Sequence, residues 1–519
     1  MNSGTHTLST SEINTANTQI RFVQLVIETI SPMAIYSGQR ETGFDNQIQR
    51  DINGLPYIPA SAIAGVWQQL AKHQLSASHT LASWFGSTDN GAPLYINHGK
   101  VLDSKSQPVP NFISEEAIEN DTVLRLLAND RPMHRERVAI NDRGVAKDTG
   151  KFDQIMLPKG VRFQITIQLN QDATLDTDHW HQLLSLWEHR LFCFGASTRN
   201  GLGRFKVVAS RENVVDLVQG PNAAQQLNQV RRQALPTRHV LQSLFAQHTM
   251  PLTPIAVLPI KALDNWRYGT GSEVLSRSDA SHSTHGQAND EREPNILMYT
   301  ERSIQWTAHH AQLSAPTPVL CGSSIKGILA HRLTYHYRRL QGVWAESLDN
   351  ADPLISADSV ETTAPTKSHR SCPWNTLPEE VRTLLGYAAD HKNSSEGLAG
   401  SLWVEDCTVQ YQHAHVRQHT ALDQFTGGVR QGALFSEELL YQPEFTLTLS
   451  FAHTRSQNVE LSDTLTQALE ATIEDLEIGL LPMGAGSGRG TSLVMKNPTL
   501  ANQWTLSLPH VTQKETATA

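Results

Sequence analysis

The chain has 519 residues, with 42 lysines and arginines against 51 aspartates and glutamates, which gives a formal net charge of −9. A hydrophobic fraction of 39% and a charged fraction of 18% are typical of a globular protein with a sizeable core, and they exclude a largely disordered chain. The length predicts about two to four domains, or one repeated unit. At first sight the acidic balance argues against a nucleic-acid partner, because the net charge repels polyanions.

The ends and the cysteines give the first predictions about location. Residues 1–19 are rich in Ser, Thr and Asn, which indicates a disordered leader rather than a secretory signal. No stretch approaches the ~18 consecutive apolar residues of a membrane span, so no membrane partner is expected. Cys193, Cys321, Cys372 and Cys407 are widely spaced and include no Cys-x-x-Cys, which indicates neither a disulfide framework nor a zinc site. We therefore expect a cytoplasmic protein.

Along the chain, the strongest pattern is an internal repeat. Three segments recur in the same order, once in each half: residues 57–70 and 319–333, 137–167 and 419–449, and 194–208 and 483–495. Three matches in one order over more than half the chain indicate a duplication.

Each copy predicts the same elements in the same order. An apolar strand, starting at Arg21 or Thr253, precedes a helix whose N-cap we assign to Ser61 or Ser323. Two strands around a polar, glycine-bearing connection follow, then a second helix over residues 179–191 or 465–476. A glycine-rich loop then leads into a last short strand. This β-α-β-β-α-β order predicts an α+β fold made of two ferredoxin-like domains in tandem.

The composition also suggests the domain boundaries. We expect a leader over residues 1–19, a first domain over 20–208, a linker over 209–253, a second domain over 254–500 and a tail over 501–519. Residues 268–294 and 343–373 are rich in Ser, Asp, His and Asn, which predicts long insertions in the second copy.

The two glycine-rich loops are candidate phosphate-binding sites, because glycine lets backbone amides approach an anion closely. Neither loop is a Walker A motif, since no Gly-Lys-Ser/Thr ends it, and neither fits a Rossmann fingerprint, since each follows a helix and enters a strand. A tight structural turn is the alternative. The candidate residues are Arg199, Asn200, Gly201, Gly203 and Arg204 in the first loop, and Gly486, Gly488, Arg489 and Gly490 in the second.

The helix starts are the second candidate anion site, since hydroxyls and amides at a helix N-terminus attract phosphate. Ser323, Ser324 and Lys326 begin the second-copy helix, whereas the first copy offers Ser61 alone. Simple N-capping would also explain the serines.

A polar loop before the first helix holds the acidic candidate. Asp45 lies there close to Arg50 and Asp51. A carboxylate beside a phosphodiester could orient the attacking 2′-hydroxyl or hold a divalent ion. A turn-forming aspartate is the alternative.

At these residues the sequence resembles the RAMP superfamily of CRISPR-associated proteins, and within it the backbone subunits of type III interference complexes. The helix-start motif is best kept in "CGSSIKG" and degraded in "PASAIAG". The hairpin motif is present in both copies, as "DTGKFDQIMLPKGVRF" and "RQGALFSEELLYQPEF". The resemblance spans residues 20–208 and 254–495 and suggests a tandem fusion of two backbone subunits.

The resemblance implies that the chain binds CRISPR RNA through the helix starts and glycine-rich loops listed above. A "thumb" hairpin near residues 137–152, which includes Arg137, and another near 419–435 would separate stacked bases of the guide–target duplex. Asp45 and Arg50 in "FDNQIQRD" match the loop with which active members cut target RNA, using a divalent ion, Mg²⁺ or Mn²⁺. Other type III subunits, including a large polymerase-like one, would be partners.

In the second copy Asp279, Asp290 and Glu301 are available, and none fits the catalytic pattern. We therefore expect this copy to bind RNA without cutting, or to cut poorly. Three alternatives stay open for the chain: a non-catalytic RNA scaffold, a repeat-processing endoribonuclease with a base such as His134, and a general RNA-recognition protein. The last is disfavoured because the final strands lack the aromatic residues on which bases stack.

Overall fold

The computed structural model describes residues 19–38, 46–75, 84–89, 91–140, 146–171, 177–216, 225, 228, 254–275, 294–307, 310–344, 377–387, 397–451 and 461–500. Asp45, Asp279, Asp290 and Cys372 lie outside this set, as do most residues of the two expected insertions.

The first copy is built on one antiparallel sheet. Its strands are β1 (Gln19–Thr29), β2 (Tyr57–Ile58), β3 (Leu94–Ile96), β4 (Gly99–Val101), β7 (Arg162–Gln171) and β8 (Phe205–Asp216). Their order is β2-β4-β7-β1-β8, and β3 also pairs with β7. Strand β1 lies between β7 and β8, and Leu25 and Val26 are both buried although they point to opposite faces. Strand β8 continues to Asp216, eight residues into the segment expected to be a linker.

Helices pack on this sheet through an aromatic core. They are α1 (Ala60–Gln74), α2 (Glu115–Glu119), α3 (Thr122–Ala128) and α4 (Thr177–Ser185). Trp67 of α1 is fully buried, and its indole nitrogen donates to the Leu183 carbonyl of α4 at 2.9 Å. Trp180 of α4 lies against Trp67, with ring centroids 6.4 Å apart. These contacts hold α1, which carries the first-copy helix start, against α4.

The second copy repeats this arrangement with a smaller sheet. Strands β9 (Pro254–Ala262), β17 (Leu402–Val404), β21 (Glu444–Phe451) and β22 (Val494–Lys496) have the order β17-β21-β9-β22. The helices are α5 (Gly322–Leu340), α6 (Glu379–Leu385) and α7 (Asp463–Glu477). The Asp475 carboxylate of α7 forms hydrogen bonds with Arg332 Nε and His336 Nε2 of α5, at 2.5 Å and 2.6 Å. These contacts hold the two long helices together.

Shorter strands form the hairpins and connections. The first hairpin consists of β5 (Met133–Ile140) and β6 (Ala146–Met156), and the second of β19 (His413–His419) and β20 (Phe435–Tyr441), to which β10 (Asn265–Trp266) is added. The remaining strands are β11 (Thr300–Glu301), β12 (Ile304–Trp306), β13 (Ala311–Leu313), β14 (Thr317–Leu320), β15 (Gly386–Tyr387), β16 (Leu398–Ala399) and β18 (Cys407–Thr408).

The architecture is mixed α+β, as predicted, but the assignment of serine N-caps is wrong. Pro59 and Cys321 hold the N-cap positions of α1 and α5, and neither makes a side-chain cap bond. Ser61 and Ser323 therefore lie inside the first turn. Both helices begin two residues earlier than the serine assignment, so the cap position falls on the residue directly in front of Ala60 or Gly322.

Backbone pairing aligns the two copies residue by residue. Leu157 bridges Met33 in the first copy, and Leu440 pairs with Trp266 in the second. Counting back along each hairpin from these pairs, Arg135 and Arg417 occupy equivalent positions.

The two copies pack directly against each other. Hairpin β12–β13 belongs to the second copy, yet Ile304 and Ala311 are part of the first hydrophobic core. The Trp306 indole donates to the Gly160 carbonyl at 2.7 Å, and the Arg162 guanidinium lies 3.9 Å from the Trp306 ring. The first copy has only the tight turn of residues 51–55 at the place of this hairpin, so the hairpin fastens the second copy to the first.

Within the described part of the chain, no helix is long and apolar enough to cross a membrane.

Candidate nucleic-acid interface

The start of helix α5 lies where the two copies meet. Strand β14 ends in buried Leu320, Cys321 turns the chain, and α5 begins at Gly322. The Gly322 amide donates to Asp406 at 2.8 Å, which satisfies one of the free donors of the helix N-terminus. A Cβ atom on Gly322 would lie 3.0 Å from the Asn200 carbonyl oxygen, so the first glycine-rich loop touches this helix start.

The two glycine-rich loops share one backbone conformation. Each contains a 3₁₀ turn, Thr198–Asn200 or Ser487–Arg489, whose flanking residues have left-handed φ angles. Gly201 and Gly490 end these turns at φ 82° and 78°, values that favour glycine.

The arginines of the two loops are not equivalent. The Phe194 amide donates to the Gly203 carbonyl, and the Met483 amide donates to the Ser492 carbonyl. The two bonds span the same number of residues, so the two loops align without a gap. In this alignment Gly488 takes the place of Arg199, and Arg489 that of Asn200. The duplicated loop therefore presents its cation one residue later in the second copy.

Three partly or largely buried cations surround the first turn of α5. They are Arg137 of β5, Arg199 of the first glycine-rich loop and Lys326 of α5, and we call them the interdomain basic site. Burial lowers the pKa of Arg137, and neighbouring Arg135 lowers it further. Burial also lowers the pKa of Arg199. For Lys326, burial followed by repulsion from Arg199 lowers the pKa to about 8.

The hydrogen-bonding groups of these cations are incompletely satisfied, although the charge of Asp406 acts on Arg137 and raises its pKa. Among the described residues, Nε and Nη2 of Arg137 and Nε of Arg199 are buried without a hydrogen-bond partner. Within the described ranges, the one hydrogen bond of the Lys326 side chain goes to the Leu402 carbonyl, at 3.3 Å. A buried charge without a partner is costly, and an anion entering the site would remove that cost. The arrangement can therefore bind phosphate at the N-terminus of a 19-residue helix.

Other predicted RNA-binding residues have partners within the protein. Arg50 donates to the carbonyls of Gly54, Leu127 and Asn129, so its guanidinium braces loops of the first domain. Arg204 pairs with Glu405 of the second copy at 2.6 Å.

The Ser324 hydroxyl lies 2.7 Å from the Tyr268 hydroxyl, beside the first turn of α5. Arg489 is 42% exposed and lies 3.4 Å from Glu437, which leaves its outer face accessible. Ser61 is exposed at the first-copy helix start. It is therefore not part of the interdomain basic site, which lies at the second-copy helix start. No described atom lies within 4 Å of a Cβ added to Gly488 or Gly490, so the second loop is open around these two residues.

Asp45 lies outside the described residues, so its second-copy counterpart is assigned by counting along the sequence from a described pair. The bridge between Arg50 and Pro56 corresponds to the pair of Thr300 with Pro318. Counting back five residues from Arg50 and from Thr300 aligns Asp45 with Asn295. The second copy thus carries an amide in place of the candidate catalytic carboxylate, a substitution that becomes visible only once the strands fix the alignment.

The Asn295 side chain is held by the second hairpin. Its Oδ1 accepts from the Ser436 amide at 2.8 Å and from the Ser436 hydroxyl at 3.2 Å. Ser436 is the equivalent of Asp153 in the first hairpin.

A group that could hold a metal ion lies on the first hairpin. Ligand atoms of His134, Glu136 and Asp153 lie within 4.8 Å of one another, and His134 Nε2 is 3.6 Å from Asp153 Oδ1. Nitrogen and carboxylate oxygen suit a divalent transition ion such as Mn²⁺ better than Mg²⁺. The equivalent residues of the second hairpin are Val416, Gln418 and Ser436, which cannot form such a group.

Sequence reasoning missed this group because its members come from two strands. His134 and Glu136 are two residues apart, which places both on one face of strand β5. Asp153 lies on strand β6, and only the pairing of the two strands shows that it is opposite Glu136. Glu301 was considered as a catalytic acid, but it is buried in an ion pair with Arg135 at 2.5 Å.

The tip of the second hairpin is apolar and exposed. Phe425 is 94% exposed, and Leu422, Val429 and Leu434 are each about two-thirds exposed. Such side chains at a loop tip can stack on bases or enter between them.

Comparison with known proteins identifies the family. Residues 26–206 and 260–494 each match the sequence model of the RAMP superfamily. No curated protein matches the chain.

One solved structure that matches is described as "Cryo-EM structure of the Type III-B Cmr-beta bound to cognate target RNA". The match has 17% identity and a TM-score of 0.26, and it covers 38% of this chain and 62% of that one. It spans less than two thirds of that chain, and a TM-score of this size does not establish a shared fold. The two matched regions together cover most of the sequence and coincide with the two copies of the repeat. The chain therefore belongs to the RAMP superfamily.

Proposed function

We propose that this protein is a guide-RNA-binding subunit of a type III CRISPR ribonucleoprotein that works in the cytoplasm. Membership of the RAMP superfamily and the resemblance to type III backbone subunits support this function. The observation that carries it is the interdomain basic site, where Arg137, Arg199 and Lys326 are partly or largely buried beside a helix N-terminus. Among the described residues, buried guanidinium nitrogens of Arg137 and Arg199 have no hydrogen-bond partner. RNA phosphates are the anions that such a site fits.

Each copy would be ferredoxin-like. In both sheets the first strand lies centrally, between the last strand of the copy and the strand that follows the hairpin. This order agrees with the β-α-β-β-α-β prediction. Hairpins β5–β6 and β19–β20 would be the thumbs, and exposed Phe425 would enter between stacked bases.

We further propose that the subunit cleaves target RNA through its first domain, with Asp45 as the catalytic carboxylate. The asymmetry between the copies supports this proposal: Asp45 is matched by Asn295, and the group of His134, Glu136 and Asp153 has no counterpart in the second hairpin. A divalent ion would stabilise the charge that develops on the phosphate. His134 and Asp153 would hold it, and Arg137 and Lys326 would orient the RNA backbone.

Cleavage in the assembled complex tests the catalytic proposal. We expect wild-type protein to cut bound target RNA once, at the position facing the first domain, and Asp45→Ala to abolish this cut while guide binding is retained. Asp89→Ala, which changes an exposed aspartate in another loop, is the matched control. Unchanged cleavage by Asp45→Ala would leave the non-catalytic scaffold as the function. Two cuts by the wild type would show that Asn295 does not inactivate the second copy.

The repeat-processing alternative would use His134 as the general base. His134 lies 3.6 Å from Asp153, a carboxylate that suits either the orientation of a general base or the binding of a metal ion, so an assay distinguishes the two roles. Specific cleavage of repeat RNA by the purified protein, lost in His134→Ala, would favour that alternative.

A further inference from the structure

Lys326 differs from other lysines of the chain in the charges around its amine. Several described lysines form ion pairs with carboxylates, which hold their amines in the protonated form: Lys151, Lys206, Lys261 and Lys496. Within the described ranges Lys326 forms no such pair, and the charged group that acts on its amine is the cation Arg199. The surroundings of Lys326 therefore disfavour the protonated form of its amine.

Lys326 and Arg199 approach one strand from different copies. The Lys326 amine donates to the Leu402 carbonyl of β17 at 3.3 Å. The Arg199 guanidinium lies 5.4 Å from the ring centroid of Trp403, the next residue of that strand. Packing of the first copy against β17 therefore brings the two cations together.

The acids that follow this strand pair with other cations. Glu405, the first residue after β17, pairs with Arg204 at 2.6 Å. Asp406 pairs with Arg135 at 2.7 Å. Neither carboxylate forms an ion pair with the amine of Lys326, so the repulsion from the neighbouring guanidinium is not relieved there.

Burial, followed by repulsion from Arg199, lowers the pKa of Lys326 to about 8. At pH 7.5 about a quarter of such amines are unprotonated, against about 0.1% for an ordinary lysine. Only the unprotonated amine has the free electron pair that attacks a carbonyl carbon. Its lower basicity offsets part of this gain, and Lys326 remains the more reactive amine.

The guanidinium groups beside this amine select the kind of acyl donor. Arg137 and Arg199 have buried nitrogens without a hydrogen-bond partner among the described residues. Guanidinium groups bind phosphate through paired hydrogen bonds, so they attract a donor whose acyl group is carried on a phosphate. Lys326 is not fully buried, and a small donor of this class can reach its amine.

We propose that Lys326 is a site of acylation by small acyl phosphates, with acetyl phosphate as the simplest donor. The unprotonated Nζ attacks the carbonyl carbon, a carbon–nitrogen bond forms, and the carbon–oxygen bond to the phosphate breaks. Inorganic phosphate leaves with the electron pair of that bond, and Nζ releases its proton to water. The product is a neutral amide, so one cation of the interdomain basic site is lost. Weaker RNA binding by the acylated chain rests on the proposed function, whereas the reaction itself does not.

The reaction is tested on the full-length protein without RNA, so its failure is distinguishable from failure of the proposed function. Wild type is incubated with acetyl phosphate at pH 8, and peptide mass spectrometry follows the acetylation of each lysine with time. Lys105, which is exposed in a turn of the first domain, is the internal control. Lys326 should react at least about tenfold faster than Lys105. An excess of inorganic phosphate should slow the reaction at Lys326 and leave that at Lys105 unchanged.

A donor without phosphate, N-acetoxysuccinimide, separates binding by the arginines from simple reactivity. The preference for Lys326 over Lys105 should be smaller with this donor than with acetyl phosphate. Arg199→Gln, whose folding circular dichroism verifies, should slow acetylation of Lys326 by acetyl phosphate by about tenfold, because it removes both a phosphate ligand and the repulsion. The proposal is wrong if Lys326 and Lys105 react equally fast with acetyl phosphate, or if inorganic phosphate does not slow the reaction at Lys326.

Discussion

The turns that end at Gly201 and Gly490 have the same conformation but different surroundings. Their φ angles are 82° and 78°, yet a Cβ on Gly201 would lie 2.9 Å from the Val404 carbonyl oxygen, whereas one on Gly490 would meet nothing within 4 Å. The first turn is covered by the second copy, and the second turn is open. The duplicated turns thus share one backbone conformation, and they differ in the residues that pack against them.

The largest effect is expected at the buried ion pairs of the covered face. Arg135→Ala leaves Glu301 and Asp406 buried without their cation, which costs about 3–5 kcal/mol of the free energy of unfolding. Arg417→Ala, at the equivalent open position, should change it by no more than about 0.5 kcal/mol. Urea unfolding monitored by tryptophan fluorescence measures both. Equal effects of the two substitutions would contradict the assignment of one covered and one open face.

Alanine substitutions at Gly201 and Gly490 test the same difference between the covered and the open turn. Gly201→Ala and Gly490→Ala each place a side chain at positive φ, which costs roughly 1–2 kcal/mol. At Gly201 the new methyl group also overlaps the Val404 carbonyl, so Gly201→Ala should lower the free energy of unfolding by about 1 kcal/mol more. Chemical denaturation of the two variants gives this difference directly. A smaller loss at Gly201 than at Gly490 would show that the second copy does not cover the first turn.

A pH series tests the covered helix start. Burial holds the pKa of free Lys326 at about 8, below its ordinary value. A bound phosphate favours the charged form, so RNA raises this pKa and affinity falls as pH rises above about 8. The expected loss between pH 7.5 and 9.5 is on the order of tenfold. Fluorescence anisotropy with a labelled guide RNA measures it, and Lys326→Arg should flatten the profile. A profile in which Lys326→Arg behaves like wild type would remove Lys326 from the RNA contact.

The sequence allowed the duplication, the order of elements and the α+β class to be predicted, because those follow from local patterns. Apolar spacing after residues 60 and 322 predicts helices α1 and α5, and both form. The glycines of the loops likewise predict turns with positive φ, which Gly201 and Gly490 show.

The partners of the polar residues could not be predicted in the same way. An arginine beside glycines is equally suited to a phosphate or to a carboxylate, and Arg204 turned out to pair with Glu405, 201 residues away. Arg50 was assigned to RNA binding, yet the carbonyls that its guanidinium reaches are supplied by folding of distant loops. Arg137 lies on a strand of the first hairpin, but its position beside the helix of the other copy depends on tertiary contact.

The most direct test of RNA binding at the interdomain basic site is the salt dependence of guide-RNA affinity. For Lys326→Ala and for Arg137→Ala, we predict weaker binding and a log–log salt slope that is smaller in magnitude by about 0.7–1 for each phosphate contact removed. Lys105→Ala, which removes an exposed charge from a turn of the first domain with no proposed RNA contact, is the control and should leave both quantities close to wild type. Unchanged affinity and slope in both site variants would contradict the account.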